Sequence, residues 1–338
     1  MTIQMAHARE IASLLRLVER DAGHRTVEKI LGEWELPASL SDHFGKTKIP
    51  FASLRGVFSS ASRHLGDRGI GTRLHLLNSL DDFGAWQEFI IGAPTLGGAI
   101  ARAIETLSFY QNFSRLSLLP AGEHAVWRAH QPMANDSDSA AFADKIVHDM
   151  QGLVRHYLGP SWRAPWFEVG YPRDADAALV EKSLDSRVIY GSIGPGVAIA
   201  RADLEKPAPL GSPRPRLLCR HDLVTLLGPS HPNKRLAPTM DIIRLRLLDG
   251  KTDLEGAAQM LRRGPRSLQS DLGREGVTYR SLVDAARLER AASMLHETDM
   301  SLTAIADELG YGEQANFTRA FRRWSGCPPS QFRAGQRQ

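Results

Sequence analysis

The last hundred residues of this chain repeat themselves. Ala258 corresponds to Ala306 and Leu261 to Leu309. Leu268 and Leu272 correspond to Phe317 and Phe321, Gly276 to Gly326, and Leu282 to Phe332. The offset drifts from 48 to 50, as single-residue changes at turns would make it. Each copy reads as a short helix, a turn and a second helix. Apolar residues four apart anchor the second helix and leave its other face polar, which is the helix-turn-helix arrangement. The small residue on each first helix, Ala258 or Ala306, lets the second helix cross closely. A long helix over 279–297 joins the copies, and the whole region after residue 239 reads as seven short helices.

The polar faces fit DNA. The first copy offers Arg266, Ser267, Gln269 and Ser270; the second offers Gln314, Asn316, Arg319, Arg322 and Arg323. Gln and Asn can bond adenine through two hydrogen bonds, Arg can bond guanine, and further Arg side chains reach phosphates. Two such helices on one side would enter successive major grooves about 34 Å apart. A plain helical bundle with solvated polar faces is the alternative for any single Arg-bearing helix; the duplication is what favours DNA.

Upstream the pattern is mixed. Helical spacing runs through 5–32, 49–66, 69–80, 94–111 and 143–159, and strand-like pieces follow: SRLSLLP, HAVWRAH, WFEVGYP, SRVIYGS and GVAIARADL. An α+β domain over residues 1–204 is expected, long enough to bury its own core. Residues 205–238 hold seven of the 19 prolines and read as a linker, with the all-α domain over 239–338. GSIGPG (191–196) precedes no helix and has no Lys-Ser/Thr, so a hairpin turn is expected rather than a phosphate loop.

Composition supports the division. Hydrophobic residues make up 42% and charged residues 24%, which excludes a disordered or fibrous chain. The net charge of +4 fits a nucleic-acid partner. The two cysteines, Cys219 and Cys327, have no CxxC partners, so a disulfide framework is not expected. No apolar run reaches the length of a membrane span and the start does not read as a secretory signal, so a cytoplasmic protein with no membrane partner is expected. The twelve histidines are scattered and no catalytic or metal-spaced constellation is found; neither a catalytic residue, a metal nor a cofactor is expected.

The second copy, SLTAIADELGYGEQANFTRAFRRWSGCPPSQFR, resembles the signature of the AraC/XylS transcription regulators through I-A-x-x-L-G-Y, the F-x-R-x-F-R-R-W helix and G-x-x-P-S-x-F-R. The first copy is similar through GAAQML and RSLQ. It departs at Ser270 and Asp271, where many relatives are basic, and an acid there repels phosphate. The N-terminal half is similar to the sensing domain of the arabinose-binding-like subgroup, through IPFASLRGVF, IIGAPTLGGAIARAIETLSFY and WFEVGYPRDADAALVEKSLDSRVIYG. The resemblance implies a ligand-responsive regulator that binds double-stranded promoter DNA, activates with RNA polymerase as partner, and dimerises.

For the effector the residues say less. Arg216 and Arg220, with Arg214, form an R-x-x-x-R spacing that resembles the arginine motif of PilZ-type cyclic di-GMP receptors. Arg16 and Arg20 repeat the spacing within a stretch of helical period. A solvated stripe is the plainer reading of both; cyclic di-GMP is the sharp expectation. Trp162, Trp166 and Tyr171 are core aromatics or a stacking surface. Two other functions are weighed. A ligand-independent architectural DNA-binding protein would not need so large an N-terminal domain. An enzyme with an accessory DNA reader would need a reactive cysteine, and neither Cys219 nor Cys327 has a paired base in sequence.

Overall fold

The computed structural model describes residues 4–45, 47–74, 83–131, 140–208 and 233–336. The chain divides into two compact units. One holds Gln4–Trp34 and His43–Pro229; the other holds Ser230–Gln338 and also takes in Glu35–Asp42.

The N-terminal unit is α+β. A short strand β1 (Met5–His7) pairs antiparallel with β2 (Lys48–Pro50). Between them run α1 (Ala12–Ala22) and α2 (His24–Glu33), separated by Gly23, whose φ of 81° lets the chain turn while its N–H donates to the Glu19 carbonyl at 2.9 Å. The expected single helical stretch over 5–32 is therefore a strand, one turn of 3₁₀ helix and two helices. Next come α3 (Phe51–Leu65), α4 (Ile70–Leu74), α5 (Ala85–Ile91) and α6 (Leu96–Tyr110). The Thr95 hydroxyl caps α6 by accepting from the Gly98 N–H at 3.1 Å. Pro94 thus lies just before the cap, rather than in the first turn.

All five strand-like pieces are strands: β3 (Arg115–Ala121), β4 (His124–His130), β5 (Phe167–Glu168), β6 (Val188–Ile189) and β7 (Gly196–Ala200). They form one sheet in the order β3-β4-β7-β5-β6, with only the β5–β6 pair parallel. This corrects one expectation. GSIGPG joins β6 to β7, but β5 lies between them, so it is a crossing connection and not a hairpin. Its Gly194 is required, since a Cβ there would stand 2.5 Å from the Ala129 carbonyl oxygen. The helix α7 (Ala140–Leu158) packs on β7. Trp127, Val147, Val154, Phe167, Val197 and Ile199 share its core, together with the inner face of α6. A further helix, α8 (Ala177–Leu184), follows β5.

The second unit is all helical, with the seven expected helices in place: α9 (Ala237–Arg246), α10 (Leu254–Met260), α11 (Pro265–Arg274), α12 (Tyr279–Glu297), α13 (Leu302–Glu308), α14 (Gln314–Ser325) and α15 (Pro329–Gln336). Leu36 and Leu40 of the segment Glu35–Asp42 are buried, and Glu35 accepts a hydrogen bond from Gln259 of α10.

Candidate nucleic-acid interface and effector cavity

The repeat is geometric as well as sequential. Asp253 caps α10 by accepting from the Gly256 N–H at 2.7 Å, and Ser301 caps α13 by accepting from the Ala304 N–H at 3.1 Å. At the turn, Arg262 N donates to Gln259 O and Arg263 N to Ala258 O, both at 2.8 Å. In the second copy Gly310 N donates to Asp307 O and Tyr311 N to Ala306 O, both at 2.9 Å. Both turns pass through a left-handed residue, Arg262 at φ 52° and Gly310 at φ 77°. Leu268 and Leu272 of α11 and Phe317 and Phe321 of α14 are buried as anchors.

The anchors hold the opposite faces out. Arg266, Ser267, Gln269 and Ser270 on α11 are all exposed, as are Gln314, Asn316, Arg319, Arg322 and Arg323 on α14. Several are pre-positioned. Arg319 Nη2 donates to Asn316 Oδ1 at 2.6 Å, and the Thr303 hydroxyl donates to Gln314 Oε1 at 2.9 Å. Each bond uses the amide's acceptor and leaves its N–H donors pointing away. Asp271 does not stand as a bare acid. It is clamped by Arg263 and by Arg274, the latter at 3.1 Å, so the flank of the first copy is positive on balance.

Sequence reasoning missed part of this face. Arg280 and Arg287 of α12 join Asn316, Arg319 and Arg323 of α14 around a concavity of about 570 Å³, where Asp284 is the one acid among the described lining residues. Arg323 pairs with Asp284 at 3.3 Å, and Arg287 lies over the Tyr311 ring at 5.0 Å. Burial pushes the Tyr279 phenol up to about 12, so it stays a neutral donor, and it bonds the Asp253 carbonyl at 3.1 Å. The seven-residue spacing of Arg280 and Arg287 on one long helix was the available signal. A concave face with four arginines to one aspartate suits the curved, polyanionic backbone of a duplex.

The N-terminal unit holds a cavity of a different character. A cavity of about 110 Å³ is walled by α5, α6, α7, β3 and β4, with aromatic faces from Phe83, Trp86, Trp127 and Phe142. Glu10 and Asp149 line it, and the buried Lys145 bonds both, at 2.9 and 2.7 Å. Burial alone would lower the Lys145 pKa, but Asp149 and Glu10 outweigh it and hold the ammonium charged.

Of the expected effector arginines, Arg16 and Arg20 do not line this cavity. Arg16 and Arg20 are exposed on α1, Arg20 bonded to Asp21 at 2.7 Å. Arg214, Arg216 and Arg220 lie outside the described residues, as does Cys219. Tyr171 is buried and bonds Asp144, and Trp162 packs against the core. Among the described residues no group of His, Cys, Asp or Glu could hold a metal, and no helix is long and apolar enough to cross a membrane.

The comparisons agree with both halves. The model of the arabinose-binding domain of AraC transcription regulators matches residues 25–208, more than half of the chain, and a helix-turn-helix domain model matches residues 257–335. The chain belongs to the AraC family of transcription regulators. It is 24% identical over 286 residues to the ornithine utilization regulator of Pseudomonas aeruginosa, covering 85% of this chain and 84% of that one. To the regulator VirS of Mycobacterium tuberculosis it is 29% identical over 183 residues, covering 54% of this chain and 53% of VirS. The crystal structure of the regulator CdpR from Pseudomonas aeruginosa is similar at 18% identity with a TM-score of 0.40, covering 92% of this chain and 97% of that one. As a family member the chain is a DNA-binding regulator with a ligand-binding type of N-terminal domain, and these relatives are named as regulators rather than enzymes.

Proposed function

We propose that this AraC-family chain is an effector-gated promoter activator that works as a homodimer in the cytoplasm. Its two helix-turn-helix copies would read adjacent major grooves of promoter DNA beside RNA polymerase, and a small molecule in the N-terminal unit would set how well they do so. The observation that carries the reading is the matched turn geometry of the two copies, each with its polar residues exposed. The cavity of the N-terminal unit supports the effector half.

The test is selection of DNA from a random pool by the full chain, followed by binding to the enriched sequence and to a scrambled one. Preference for the enriched sequence is expected. Gln314→Ala or Asn316→Ala should relax it at one position at a cost of about 1–3 kcal/mol. Equal affinity for both DNAs would overturn the base-reading claim. Transcription in vitro from a promoter bearing the enriched sequence then tests activation, and light scattering tests the dimer.

Cyclic di-GMP held by Arg214, Arg216 and Arg220 is the rival effector reading. It rests on the R-x-x-x-R spacing alone, and a thermal shift with cyclic di-GMP that is lost in Arg216→Ala would establish it.

A further inference from the structure

A free carboxamide matches adenine with one acceptor and one donor: its oxygen takes an N6 hydrogen and its N–H reaches N7. In the folded DNA-binding unit neither Gln314 nor Asn316 is free in this sense. Arg319 Nη2 donates to Asn316 Oδ1 at 2.6 Å. Arginine has no acceptor, so the oxygen of Asn316 must be the atom that faces it. The Thr303 hydroxyl, on α13 of the same repeat copy, donates to Gln314 Oε1 at 2.9 Å. All four residues are exposed, so both bonds are made where a duplex would reach them.

These bonds change what the helix can read. An amide oxygen keeps a second lone pair, but that of Asn316 stands beside a guanidinium. A base N–H brought there meets a cation, whereas a base acceptor is drawn towards it. Asn316 also lines the basic concavity with Arg280, Arg287 and Arg323, which strengthens the same field. At Gln314 the hydroxyl occupies the oxygen and leaves the NH2 group as the outward edge. In the major groove guanine presents two acceptors, N7 and O6, and thymine presents O4. Adenine N6 and cytosine N4 present donors.

We infer that α14 reads through donors at these two positions. Gln314 and Asn316 each select a base whose major-groove edge accepts, guanine or thymine, and reject the adenine that a free amide would choose. Thr303 and Arg319 are the positioning residues that impose this choice. The inference deepens the DNA-reading proposal above and rests on it.

The enriched duplex selected from the random pool is the probe. Each of the four bases is placed in turn at the position that loses discrimination in Gln314→Ala, and at the position that loses it in Asn316→Ala. An exposed hydrogen bond contributes modestly. The full chain is therefore expected to bind the better of guanine and thymine roughly three- to tenfold tighter than the better of adenine and cytosine at each position. Thr303→Val exchanges the hydroxyl for a methyl group. It should bring adenine level at the Gln314 position and leave the Asn316 position as it was. Arg319→Leu should do the converse, and should also weaken every duplex through the lost cation. A merely structural role for Thr303 would change overall affinity without changing base preference at one position. Thr303→Ala repeats the measurement if valine disturbs α13, since alanine suits a helix better.

Adenine or cytosine bound as tightly as guanine and thymine by the unaltered chain, at either position, would overturn the inference. So would a preference at the Gln314 position that survives the loss of the Thr303 hydroxyl. Both results leave sequence-selective binding standing. A duplex series with no preference at any position would overturn the DNA-reading proposal itself, and this inference with it.

Discussion

Position 262 is where the two repeat copies differ in chemistry while keeping the same shape. Gly310 takes a φ of 77° without steric cost, whereas Arg262 holds 52° with a side chain attached. A left-handed conformation costs a non-glycine residue about 1–2 kcal/mol, and the glycine chain loses part of that gain through its freer unfolded state. Arg262→Gly is therefore expected to stabilise the DNA-binding unit by about 0.5–1 kcal/mol, read as a higher urea midpoint at unchanged slope. Asp253 supplies the matching cap, and Asp253→Ala should cost about 1 kcal/mol. The Gly256 N–H it accepts from, opposed in part by burial and reinforced by Arg246, holds its carboxyl below the ordinary value. A carboxyl lowered in the folded state contributes fully above its unfolded pKa of about 3.9 and loses that contribution as pH falls through the folded value. The stability gap between wild type and Asp253→Asn, whose amide still caps but cannot titrate, should narrow on going from pH 6 to pH 3. Residue-level legibility was uneven. The exposed readers could be named because anchors four apart dictate which side chains point out. The Asp271 clamp could not, because Arg263 lies eight residues away, across the turn.

At the scale of elements, the recognition helices are held by very few side chains. Phe317 and Phe321 are fully buried in a small cluster with Ala291, Leu295, Ile305, Ala306 and Leu309. Phe317→Ala should cost about 3–5 kcal/mol and abolish DNA binding by freeing α14, which circular dichroism and a binding assay on one sample would show together. All seven helices of this unit were legible, since each is a strong apolar period bounded by Gly, Pro or a cap. The N-terminal unit was legible in kind but less so in connection. Its strands β5 and β6 are two residues long, paired to neighbours far away in sequence, and nothing local says that β5 would insert between β6 and β7. One signal in α7 went unused. Lys145, His148 and Asp149 interrupt the apolar face of an otherwise core-facing helix, and charges in that position are buried only when partnered. The last of them, which the first bonds, lines the cavity of the N-terminal unit.

Across the whole molecule, the two units have separate cores and separate chemistry: a basic, open face after residue 239 and an aromatic-walled cavity before residue 208. The modest net charge of +4 hides this contrast, which is why composition alone said little. DNA affinity should fall steeply with salt. Arg280→Ala and Arg319→Ala should each lower the slope of log K against log salt by about 0.9 if that side chain meets one phosphate. The N-terminal variant Gln87→Leu should leave the slope untouched. A titration of enriched DNA at four salt concentrations checks all three.

The cavity of the N-terminal unit should also make the protein sensitive to hydrostatic pressure. Unfolding eliminates internal voids, so compression favours the state without them, and the volume change scales with the void removed. An unliganded N-terminal unit should yield at lower pressure than the same unit with its cavity filled, while the helical DNA-binding unit responds little to the ligand. Tryptophans 86 and 127 stand in the cavity wall, so their fluorescence under pressure would report the filling of that space directly.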